Sequence, residues 1–79
     1  MKLSEVPLGV SVRLVAIHAT AFALKQRLLD MGVARGAVIQ VIRAAPLGDP
    51  IEIQIKSSRL ALRRAECSCI EVELIEADK

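Results

Sequence analysis

Aromatic side chains are almost missing from this sequence: Phe22 stands alone, with no tyrosine and no tryptophan. Small barrels that grip single-stranded nucleic acid stack bases on several aromatics. Without them, the cluster Arg59, Arg63 and Arg64 reads as a solvated face, and no nucleic-acid partner is expected. Histidine is limited to His18. A nucleophile needs a base beside it, so no residue is assigned a catalytic role. Cysteine is confined to Cys67 and Cys69, whose single-residue spacing is poor geometry for an internal disulfide and fits a reducing compartment. A structural zinc site wants four ligands, usually as two spaced cysteine pairs, and the second pair is absent. Cys67, Cys69 and His18 are therefore weak candidates for a transition metal such as iron or zinc. Small buried thiols and a strand-end histidine are the plainer reading.

Neither sign of charge dominates, with 11 basic against 9 acidic side chains, which suits solubility and points to no polyanion. No apolar run reaches the roughly 18–20 residues of a membrane span, so no membrane insertion is expected. Met1-Lys2-Leu3-Ser4-Glu5 has no apolar stretch behind its lysine. The chain is thus expected to lack a secretory signal, to start at its own Met1 and to be cytoplasmic. The few glycines form no phosphate cradle, because Gly32 and Gly36 follow the predicted helix and a cradle precedes one.

What the sequence does have is aliphatic residues: 53% of its 79 residues are hydrophobic. That is enough for one small domain, 1–79, with an aliphatic core. Ile51, Ile53 and Ile55 alternate with Glu52, Gln54 and Lys56, the period of a strand with one dry face. Ile70, Val72 and Leu74 alternate with Glu71 and Glu73 in the same way. Val10 to Ile17 and Ala37 to Ala44 are β-branched runs of weaker alternation, read as strands covered on both faces for part of their length. Leu60-Ala61-Leu62 adds a short fifth strand. Five short strands at regular spacing predict a small barrel or sandwich.

One segment follows a helical period. Thr20 is the expected N-cap, Ala21, Leu24, Leu28 and Met31 form the apolar stripe, and Gly32 with Val33 ends the helix. Phe22 and Leu29 fall on a different face of it. Pro7-Leu8-Gly9, Val33-Ala34-Arg35-Gly36 and Ser57-Ser58 read as turns, and Ala45-Pro46-Leu47-Gly48 as a type I turn. Exposed apolar groups on rigid supports are the chemistry of recognition. Phe22, Leu29 and Leu47 are the expected partner-binding residues.

Several stretches, taken together, carry a resemblance. They are Leu3-Ser4-Glu5-Val6, the run from Leu24 to Val33, Gly36, the run from Val41 to Ile51, and Leu60-Ala61-Leu62-Arg63. In this order they resemble the FeoA family of bacterial ferrous-iron uptake, over nearly the whole chain. The most specific piece is Ala45-Pro46-Leu47-Gly48-Asp49-Pro50. The resemblance implies a mainly β, SH3-like barrel of about five strands with one inserted helix. It also implies a non-enzymatic adaptor that binds the cytoplasmic portion of a FeoB-type permease; no cofactor is assigned beyond the weak transition-metal candidates above. The alternative is a metal carrier or metal-responsive domain, since the same barrel occurs in iron-dependent repressors. The sequence departs from the family pattern at Ser57 and Ser58, where glycine and an aromatic are usual, and at Cys67, where alanine is.

Overall fold

The computed structural model describes residues 1–75. Its strands are β1 (Ser11–Ile17), β2 (Val38–Ala44), β3 (Ile51–Ile55), β4 (Ser58–Leu62) and β5 (Ile70–Leu74). Helix α1 (Phe22–Asp30) joins β1 to β2, and a single turn of helix, α2 (Arg64–Cys67), joins β4 to β5. A 3-10 turn at Leu3–Glu5 precedes β1. The strands form one antiparallel sheet in the order β4-β3-β2-β1-β5, so the last strand returns to lie beside the first.

Strand β3 follows the sequence period throughout: Ile51, Ile53 and Ile55 are buried, while Glu52 and Gln54 face the wet side. The weaker alternation in the other two long strands has a different cause from the one expected. Both strands carry a bulge, one between Leu14 and Ala16 against β5, the other between Val41 and Arg43 against β3. Val15 and Ile42 are the extra residues. A bulge shifts the side-chain phase and bends the strand. Ile39 and Val41 are buried ahead of the Ile42 bulge, whereas Arg43 beyond it is exposed. These strands are bent, and partial cover of the second face is limited to half-buried residues such as Val15 and Ile42.

Helix α1 buries Leu24 and Leu28 and ends as predicted. Gly32 takes φ of +80°, its N–H donates to the Leu29 carbonyl, and the Val33 N–H reaches back to Leu28. That pair of bonds is a Schellman closure, which favours glycine at the left-handed position. The helix start is a correction. The N-cap is Ala21, with no side-chain cap. Thr20 instead turns its hydroxyl to His18 Nδ1 at 2.8 Å, and its N–H donates to the same nitrogen at 3.2 Å. The tight joint after β1 takes up the side chain that would otherwise cap the helix.

Two further expectations need correcting. Leu74 was assigned to the dry face of β5 but is 60% exposed. It pairs with Val12 at the end of the strand, and the buried run of β5 stops at Val72. The β3–β4 hairpin turns at Lys56-Ser57 and not at Ser57-Ser58, because Ile55 pairs with Ser58. Lys56 adopts φ of +55°, uncommon for a side chain of its kind. Its ammonium donates to the Gly32 carbonyl at 3.1 Å, fastening the hairpin to the end of α1.

The buried side chains form one aliphatic cluster drawn from all five strands, α1, α2 and the 3-10 turn, with Cys67 as its thiol. Burial pushes that thiol up to about 11.

Candidate partner-binding surface

The three apolar residues singled out above are all exposed, on two supports: Phe22 and Leu29 on α1, and Leu47 on the loop between β2 and β3. Leu47 is 96% exposed, Phe22 71% and Leu29 49%. For Leu47, the loop from Ala45 to Pro50 closes on itself twice: Gly48 N–H donates to the Ala45 carbonyl at 2.7 Å, and Ala45 N–H to the Pro50 carbonyl at 3.0 Å. The first bond is the one expected of the turn, with Pro46 at its second position. The Asp49–Pro50 peptide is cis.

A residue that sequence reasoning missed then fixes this loop to the body. The Arg64 side chain donates from Nε to the Gly48 carbonyl at 3.0 Å and from Nη1 to the Ser4 carbonyl at 3.1 Å. The Arg64 N–H donates to Asp49 Oδ1 at 3.0 Å. One arginine thus joins α2, the loop and the 3-10 turn. A Cβ added to Gly48 would come 3.6 Å from Arg64 Nη2, an ordinary contact, so it is the φ of +86° that favours glycine there. The sequence signal was only a basic cluster, and its members take separate roles. Arg59 reaches Glu52 and Gln54 on the outer face of the sheet, and Arg63 heads α2 with its N–H on Glu66.

Phe22 borders a shallow depression of about 280 Å³ shared with Ala65, Glu66 and Cys69 near α2. Arg27 of α1 reaches Glu66 of α2 at 3.7 Å. Leu29, two turns further on, borders a separate groove between α1 and β1. The structure therefore brings Phe22 and the Arg64-held loop to two flanks of α2 and sets Leu29 apart. Leu8, at the tip of the Pro7–Gly9 turn, and Val38 are exposed apolar residues that sequence reasoning did not select.

The metal candidates divide. Cys67 is fully buried in the core with its thiol held protonated. His18 and Cys69 line one depression of about 440 Å³ beside Glu71. The His18 Nδ1 is taken up by Thr20, and Glu71 accepts from the amino terminus at 2.8 Å. Among the described residues no three His, Cys, Asp or Glu side chains converge on a point that would hold a metal ion. Among the described residues no helix is long and apolar enough to cross a membrane.

Sheet order, inserted helix and bulged strands define a small SH3-like β domain. Comparison with known proteins makes this specific: residues 1–74 match the FeoA domain, and the chain belongs to that family. The solution structure of a FeoA protein from Chlorobium tepidum superposes with a TM-score of 0.88 at 40% identity, over 100% of this chain and 74% of that one. A Stenotrophomonas maltophilia FeoA in complex with zinc, described as a prokaryotic SH3 domain protein, superposes at 0.79 with 29% identity, over 92% of this chain and 89% of that one. A Porphyromonas gingivalis protein, a fusion of Fe(2+) transport protein A with the Fe(2+) transporter FeoB, is 36% identical over 99% of this chain. The chain spans 9% of the length of that fusion.

Proposed function

We propose that this protein is a non-enzymatic, cytoplasmic accessory subunit of ferrous-iron uptake that docks on the cytoplasmic portion of a FeoB-type permease. The observation that carries this reading is the fusion relative, in which a segment matching this chain and a FeoB transporter share one polypeptide. Fusion raises the effective concentration of two modules that work together. The surface fits a docking role. Leu47 stands on a loop ordered by two prolines and by Arg64, which lowers the entropy cost of using it as an anchor. Phe22 and Leu29 offer further apolar contact on a helix. Burying any one of these where a partner excludes water is the kind of contact that dominates interfaces.

Titration calorimetry against the permease's cytoplasmic portion tests the reading, with melting curves as a folding control. Leu47→Ala, and Phe22→Ala combined with Leu29→Ala, should each fold and bind about thirty-fold more weakly, the loss typical of a central anchor. Wild-type binding by both folded variants would remove these residues from the interface. No binding by the unaltered chain would end the docking reading itself.

A further inference from the structure

The groove beside Leu29 opens where β1 runs on past its partner β2, next to the Val15 bulge. Strand β2 pairs with β1 over Ser11–Arg13, and its connection still bonds Leu14 through Gly36 and Ala37. Beyond Leu14, Ala16 and Ile17 pair only with β5 among the described residues. On the side β2 has left, β1 faces α1 across an opening of about 260 Å³ bordered by Val15, Ile17, Leu29 and Ala34. This is smaller than the roughly 300–1,000 Å³ of small-molecule pockets. It suits a single branched or aromatic side chain.

The charge around the opening is one-sided. Lys25 and Arg35 stand at its rim. At Ala34 and Arg35 it adjoins a polar cleft of about 480 Å³ that also holds Gln40, Gln54 and Lys56. Among the described residues no carboxylate lines either depression. Among the described residues no carboxylate pairs with Lys25, Arg35 or Lys56, whereas Arg27, Arg43 and Arg59 all have one. A type II turn puts Arg35 at this junction: the Ala37 N–H donates to the Ala34 carbonyl and Gly36 takes φ of +93°.

We propose that this groove and cleft together receive an acidic segment of the permease's cytoplasmic portion that carries one apolar side chain, so the inference rests on the docking reading above. The apolar side chain fills the opening against Val15, Ile17 and Leu29. Carboxylates on either side of it meet Lys25, Arg35 and Lys56. Complementary charge of this kind selects the partner and speeds encounter. Nucleic acid would satisfy the charges but leave the apolar opening unfilled and no aromatic to stack on.

The test is a nuclear magnetic resonance titration of the isotope-labelled chain with short overlapping peptides that tile the permease's cytoplasmic portion, beside the intact portion. Acidic peptides with a leucine, isoleucine or phenylalanine should shift Val15, Ile17, Leu29 and Ala34, with binding weakened by salt. Lys25→Glu with Arg35→Glu should cost about ten-fold or more in affinity for the intact portion, and Lys2→Glu, at the depression beside His18, should change it little. If the intact portion binds that double variant like wild type, or shifts only other residues, the inference fails and docking stands. If the intact portion does not bind the unaltered chain, both fall. A short oligothymidine strand that reproduces the shifts when no peptide does would assign the face to nucleic acid and overturn the inference.

Discussion

Strands β3 and β1 are made of similar β-branched residues and lie in one sheet, yet they serve different ends. Strand β3 is regular: every second side chain is buried, and its wet face is tied across by Arg43 to Glu52 at 2.6 Å and Arg59 to Gln54 at 3.0 Å. Strand β1 carries a bulge, loses its β2 neighbour beyond Leu14 and leaves Val15 and Ile17 half-buried beside an open groove. The difference teaches a division of labour: the regular strand supplies cohesion, and the interrupted one supplies a shaped surface. Loss of regularity costs ladder hydrogen bonds, and bulges are common where a strand must re-aim a side chain.

If that division is right, the largest effect falls on β3. Ile53→Ala should destabilise by about 2–5 kcal/mol through lost burial and a cavity. Glu52→Ala, its immediate neighbour on the wet face, should cost far less. Urea melts compare the two, and equal shifts in midpoint would break the distinction between the faces. The Arg43 guanidinium bonds the Glu52 carboxyl and holds it below the usual carboxylate range. The small Glu52 contribution is therefore present at neutral pH and lost as pH falls through that lowered value.

Next in size is the buried thiol ahead of β5. Desolvation raises Cys67 from 9.0 to about 11. The unfolded thiol ionises first, so this contribution is full below pH 9 and fades as pH climbs towards 11. It should amount to something on the order of 2 kcal/mol. Chemical denaturation across that range should show a slope that Cys67→Ala lacks; identical slopes would mean the thiol is better solvated than its burial implies.

Smaller still is Arg64→Ala, expected to cost about 1 kcal/mol while releasing the amides of Gly48 and Asp49 to faster hydrogen exchange. Arg64→Lys should restore little, since an ammonium cannot span the Gly48 and Ser4 carbonyls as the guanidinium fork does. Unchanged exchange in both variants would show that the prolines alone order the loop. A modest stability change is also expected on the interrupted strand: Val15→Thr should stay within about 1 kcal/mol yet weaken partner binding measurably by calorimetry. A large stability loss there would erase the contrast between β1 and β3.

The parts of the fold legible in the sequence are those governed by one local rule. Ile51, Ile53 and Ile55 display their period openly, and Gly32 and Gly48 mark backbone that favours glycine. The exposure of Phe22, Leu29 and Leu47 also followed from local placement. The bulges did not, because an extra Val or Ile in a β-branched run looks like more strand. Nor did the Arg64 clamp, whose partners Ser4, Gly48 and Asp49 are remote in the chain. Helix α2 is too short to show a period, and Thr20 obeyed a capping rule that a nearer partner, His18, outbid.

The return of β5 to β1 also dictates a time order. Strands β2, β3 and β4 are neighbours in sequence as well as in the sheet, joined by short turns, whereas pairing Val12 with Leu74 closes nearly the whole chain into one loop. Loop-closure entropy must be met before such remote contacts return anything. The meander of β2, β3 and β4 is therefore the part that organises first, and the ends of the chain zip together late. In stopped-flow chevrons, Ile53→Ala should mainly slow folding, and Val72→Ala should mainly hasten unfolding. Strand β1, with its groove, is then among the last parts of the domain to take shape in folding.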